Sequence, residues 1–200
     1  MKRVFGRDMD YFGEYGMILG HKSLAWNGME AAVVDIRQWM SILLFLAAAL
    51  MLFIAFLSYR NRRLAVARTM ILTMLGAAFY SVGYAFEILS RNLSEVKLSL
   101  QIEYAGIPFV TTLWLLMIIQ FTGTAARYRK RLALALFVVP FAIFFLHLTN
   151  DWHHLIYERY IPNENASIPL YTTVKGPGYI VHTAYNYSVI VCGFLLFIPM

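Results

Sequence analysis

The chain has 200 residues, of which 60% are hydrophobic, 16% aromatic and 14% charged, with a formal net charge of +6. Soluble domains carry about 25% charged residues, so this composition excludes an ordinary water-soluble enzyme or binding module and makes the lipid bilayer the chain's first partner. The one cysteine, Cys192, sits in an apolar stretch, reads as a small hydrophobe, and excludes an internal disulfide framework or a cysteine-paired metal site.

Residues 1–39 carry five bases and five acids and lack the apolar central region of a cleavable signal. They read as an irregular extracytoplasmic extension, in which Asn27 and Glu30 are suited to cap a helix. Five apolar stretches follow, at about 40–59, 69–89, 107–123, 132–148 and 179–200. A bilayer core needs roughly 20 such residues as a helix, which satisfies its own backbone polar groups. None alternates with the period of a barrel strand. The predicted fold class is therefore all-α, a polytopic transmembrane helical bundle. Pro108 is predicted in a first helical turn and Pro140 at a kink.

Basic residues set the expected orientation. Arg60, Arg62, Arg63 and Arg68 lie between the first two spans, and Arg127, Arg129, Lys130 and Arg131 between the third and fourth, with no acid in either loop. Those loops are expected in the cytoplasm. The loops 90–102 and 149–178 mix signs and are expected outside, together with the N-terminus. This placement accounts for the charge of +6 without a nucleic-acid partner.

Polar residues then collect at one level. Glu87 lies about 27 Å from the cytoplasmic start of its span at roughly 1.5 Å per residue, and Glu103 lies one turn before the apolar part of the third span. His147, Asn150, His153 and His154 fall at the outer end of the fourth span, and His182, Tyr185 and Asn186 in the first turns of the fifth. Ionisable groups in spans are costly and mark function, less so near an interface. Trp152, Tyr157, Tyr179 and Tyr185 also suit an interfacial aromatic belt.

Glu87, Glu103 and one histidine from 153, 154 or 182 would suit zinc, but His153 and His154, read as adjacent on one helix, cannot both face one centre. No H-E-x-x-H, G-x-S-x-G or glycine-rich phosphate loop occurs, so no catalytic residue and no cofactor is predicted. Histidines beside carboxylates could register external pH.

The order G-Y-A-F-E (83–87), I-E-Y-A-G-I-P (102–108), T-N-x-x-H-x-L-I-Y (149–157) and G-P-x-Y-x-x-H-x-x-Y-x-Y (176–187) resembles the N-terminal seven-transmembrane sensor region of bacterial histidine kinases, also found in some diguanylate cyclases. The resemblance runs from about residue 40 to 200 and covers five of the seven spans; residues 1–39 have no counterpart in it. It implies a multi-pass protein of the bacterial cell membrane, working as a homodimer, that passes an external stimulus to a cytoplasmic output domain and its response regulator. Kinase or cyclase catalysis would lie in the part beyond this sequence. The positions that match the family pattern and fall at the outer level are Glu87, Glu103, Asn150, His153, Tyr157, His182 and Tyr185. With His154 added, they form the expected pocket for a small ligand or proton. Three rival functions fit a chain of this composition. A small-molecule transporter would carry its polar groups nearer the bilayer midplane. A membrane metalloenzyme would use the carboxylates and histidines, and a plain membrane anchor would use none of them.

Overall fold

The computed structural model describes residues 36–124, 127–163 and 171–198; the Asn27 and Glu30 cap lies outside the described residues. The unit described below is Met40–Met200, with residues 1–39 set apart from it. Among the described residues, five helical segments are long and apolar enough to cross a membrane: Ile36–Tyr59, Ala65–Leu89, Leu93–Thr122, Arg129–Leu148 and Pro177–Leu196. Each predicted span has its counterpart, and the chain is an all-α helical membrane bundle.

Helix α1 (Ile36–Tyr59) buries a stripe of small residues. Ser41, Ala48 and Ala55, seven apart, are buried, while Leu43, Leu46, Leu50 and Phe53 are exposed. A seven-residue spacing keeps one face on a neighbouring helix, and small side chains there permit close approach. That neighbour is α2 (Ala65–Leu89): Ser41 Oγ donates to Ala85 O at 3.3 Å, and the Phe45 and Phe86 rings meet edge to face. Large apolar side chains turned outward on every span have no reason in water and suit lipid.

The segment predicted as a loop at 90–102 is instead helix α3 (Leu93–Tyr104). Its start is a reciprocal cap: Asn92 Oδ1 accepts from Glu95 N at 3.0 Å, and Glu95 Oε2 accepts from Arg91 N at 2.7 Å. The N-x-x-E spacing satisfies two otherwise orphaned amides. Val96, Leu100 and Tyr104 then bury one side of α3 in a core with Ile143, Ile156 and Tyr157. A break at Ala105 and Gly106 leads into α4 (Ile107–Thr122), whose Pro108 occupies the first turn.

Helix α4 is central, packing against α2, against α5 (Arg129–Leu148) and against α7 (Pro177–Phe197). Glycines fix the approach of α2 to the α3–α4 junction. A Cβ on Gly83 would lie 2.7 Å from Glu103 N and 2.9 Å from Ser99 O, and one on Gly106 would run into the backbone of Gly76. Pro140 lies inside α5.

After α5 the helix does not carry on through His153 and His154 as the sequence reading has it. Helix α6 covers only Asn150–His153, and His154 takes the left-handed conformation, φ 53°. Strand β1 (Tyr157–Pro162) then pairs antiparallel with β2 (Tyr171–Lys175), with Tyr157 opposite Lys175 and Pro162 opposite Tyr171. This hairpin is a local addition to the helical bundle.

Candidate functional site

Polar side chains gather where α2 ends, α3 runs, α5 ends and α7 begins. Glu87 and Glu103 are only 7% and 4% exposed. Their carboxyl groups interact directly with each other, yet among the described residues Glu103 Oε1 has no hydrogen-bond partner. Among the described residues, no lysine or arginine forms an ion pair with either; the ion pair present joins Lys97 to Asp151, 2.6 Å apart. The absence of Cβ at Gly83 is what lets α3 lie close enough for the two acids to meet.

Glu103 lines a cavity of about 690 Å³ that opens between α2, α3, α7 and the hairpin. Six of its wall residues are tyrosines, at positions 80, 84, 104, 157, 179 and 187, and Lys175, His182, Thr183 and Asn186 complete its polar lining around Glu103. A volume in the range of about 300–1,000 Å³ suits a small organic ligand. Helical spacing builds the wall: Tyr80 and Tyr84 are four apart on α2, and Tyr179, Thr183 and Tyr187 are four apart on α7, so each set shares one face.

His182 is held by its own helix. Asn186 Oδ1 accepts from Thr111 Oγ1 at 2.6 Å, which turns Asn186 Nδ2 toward His182 Nε2 at 2.8 Å. With Nε2 accepting, the neutral ring carries its proton on Nδ1. Tyr157 reaches the cavity from β1, and its hydroxyl accepts from Tyr104 Oη at 3.0 Å. Burial, then the neighbouring Tyr104, pushes the Tyr157 phenol well above the usual range. On the same strand, burial followed by Asp151 pushes Tyr160 up to about 12.

The eight predicted residues do not all meet. Glu103, Tyr157 and His182 line the cavity, with Glu87 behind Glu103. Asn150 is committed to the turn: its Oδ1 accepts from Ile156 N and Tyr157 N at 2.8 and 3.1 Å, and its Nδ2 donates to Tyr157 O at 2.9 Å. His153 accepts from Leu155 N through Nδ1 and meets Thr149 Oγ1 through Nε2, each at 3.0 Å. His154, past the end of α6, is exposed. The premise that His153 and His154 share a helix is thereby corrected. Tyr185 braces three helices, donating to Leu136 O at 2.6 Å and meeting Thr112 Oγ1 at 3.2 Å.

Sequence reasoning missed the tyrosine wall, although its four-residue spacing was readable. It also missed the stacking of His147 on Tyr104, with centroids 3.7 Å apart. Among the described residues, no group of three or more His, Cys, Asp or Glu side chains is placed to hold a metal ion, so the zinc set suggested by the sequence is not assembled.

At the opposite end of the bundle, Arg62, Arg63 and Arg68 line a shallow cleft with Tyr59. Cys192 is exposed on α7.

No curated protein and no solved structure matches the chain. Residues 43–200 match the family model described as the N-terminal 7TM region of histidine kinase. With most of its length inside that match, this multi-pass membrane chain belongs to the family of N-terminal 7TM regions of histidine kinases.

Proposed function

We propose that the chain is the sensory input region of a bacterial histidine kinase, and that it reads an extracytoplasmic stimulus in the tyrosine-walled cavity and passes it to a cytoplasmic output domain. The observation that carries this reading is the cavity itself, about 690 Å³ and lined by residues of α2, α3, α7 and the hairpin around the buried Glu103. Its extracytoplasmic placement rests on the basic loops at the other end of the bundle, Arg60 to Arg68 and Arg127 to Arg131.

Helices α2 and α7 both pack on α4 and supply facing walls of the cavity. A ligand touching both walls favours whichever spacing of α2 and α7 fits it, and both helices run on toward the arginine end. Signalling is then a shift between two bundle packings, driven by the ligand's differential affinity for them. A few kcal/mol of such difference moves most of the population. The residues assigned to stimulus reading are Glu87, Glu103, Tyr157 and His182; Asn150, His153 and Tyr185 hold the walls that these residues need. Operation as a dimer with a response regulator downstream belongs to the same proposal.

The test is the output of the full-length protein in cells, under growth conditions that distinguish wild type from a deletion strain. Thr183→Trp, which fills the cavity from α7, and Glu103→Gln are each expected to abolish that difference while the protein still inserts. A normal response from Thr183→Trp would refute the reading.

A further inference from the structure

Resting on the cavity as the stimulus site, we infer that its ligand is a small organic cation, an amine whose charged nitrogen docks at Glu103 and whose body packs among the tyrosines. Three independent features of the cavity lead there.

The first is an unmet acceptor. Glu103 is 4% exposed, lines the cavity, and keeps Oε1 without a hydrogen-bond partner among the described residues, while Glu87 adds a second carboxyl at its back. A buried acidic pair with no basic partner among the described residues is completed by a positive charge that also donates hydrogen bonds.

The second is the wall. Tyrosine faces carry negative potential and attract cations within about 6 Å of the ring centroid. Lys175, at the β2 side of the cavity, already makes this contact, with Nζ 4.4 Å from the centroid of the wall residue Tyr179. The Tyr80 and Tyr84 rings, stacked in parallel 6.1 Å apart, extend the same surface on α2.

The third is size and donor count. A zinc-type cation takes three or more His, Cys, Asp or Glu ligands at close range, and among the described residues no group of three such side chains is placed for one. A cavity of about 690 Å³ is also far larger than an ion, and matches an organic ligand of drug-like dimensions. An anion would meet the two acids, with only Lys175 in its favour.

The experiment uses the chain in lipid nanodiscs, with empty nanodiscs as reference, and compares two isosteric pairs by equilibrium dialysis. The pairs are 2-phenylethylammonium with 2-phenylethanol, and cyclohexylammonium with cyclohexanol. At least one cation is expected to bind about tenfold more tightly than its neutral partner, and Glu103→Gln to bring that ratio close to one. Should Glu103→Gln fail to insert, Tyr84→Ala provides the second arm, with an expected loss of cation affinity and little change for the alcohol. Equal binding of each pair, or a charge preference that survives in the substituted chain, would overturn the inference. If that happens while Thr183→Trp still silences cellular output, the cavity reading stands and the ligand class is wrong. If Thr183→Trp leaves output intact, the cavity reading itself has failed.

Discussion

The imidazole of His147 lies flat on the phenol ring of Tyr104, with centroids 3.7 Å apart and planes 8° from parallel, and among the described residues neither ring nitrogen of His147 has a hydrogen-bond partner. His147 is 5% exposed and also meets Tyr157 edge to face. It therefore works as a flat apolar plate behind two cavity tyrosines. His147→Phe should retain the fold and the cation selectivity of the cavity. His147→Ala should cost about 3–5 kcal/mol of stability, the range for removing a large buried ring. Reversible unfolding of the chain in mixed micelles measures both; a Phe variant as unstable as the Ala variant would show that the imidazole nitrogens matter.

Gly83 is where α2 touches α3 most closely, since a side chain there would strike Glu103 N and Ser99 O. Gly83→Val should push the helices apart, separate Glu87 from Glu103, and destabilise by about 1–3 kcal/mol through overpacking. A crosslinking test follows: Glu87→Cys with Glu103→Cys in a Cys192→Ser background, bridged by a short bis-thiol reagent, should crosslink faster than the same pair carrying Gly83→Val.

Asn150 binds three backbone groups of the turn into β1. Asn150→Ala leaves them unpaired and is expected to cost about 2–3 kcal/mol. The readout is amide hydrogen exchange, which should rise across Leu155–Pro162 and leave α1 unchanged. Asn150→Asp keeps the two acceptor bonds and loses one donor bond, so its effect should be intermediate.

The phenols on β1 set an alkaline limit. Tyr160 is pushed up to about 12 by burial, above its ordinary 10.0, and Tyr157 is pushed further in the same direction. The folded hairpin therefore holds its phenolic protons where the unfolded chain releases them. Stability is full below about pH 10 and falls as pH rises toward 12. Tyr160→Phe should flatten part of that fall, as measured by unfolding midpoints across the alkaline range. A midpoint that climbs above pH 10 would contradict the assignment.

The five spans are legible in the sequence because twenty-residue apolar runs admit few other structures, and Glu87, Glu103 and His182 stand out because an acid or imidazole near a span is rare. Helix α3 is hidden because its caps are polar and its apolar face is only Val96, Leu100 and Tyr104. The hairpin is hidden for a different reason: Asn150, Trp152 and His153 do begin a helix, and it is the Asn150 side chain, bonded to residues six and seven ahead, that ends it. Such a bond is set by tertiary packing, and no local propensity encodes it. Depth along a helix places Tyr185 at the pocket level but says nothing of its azimuth; its hydroxyl turns to α5 and α4 instead of the cavity.

The sharpest test is which side of the membrane reaches the cavity. Lys175 is exposed on β2 beside it, and Arg63 is exposed at the opposite end of the bundle. In a Cys192→Ser background, Lys175→Cys and Arg63→Cys would be treated in turn with a membrane-impermeant maleimide on intact cells. Lys175→Cys should be labelled from outside, and Arg63→Cys only after the cells are opened. Labelling in the reverse pattern would place the cavity in the cytoplasm and contradict its role as an extracytoplasmic stimulus site.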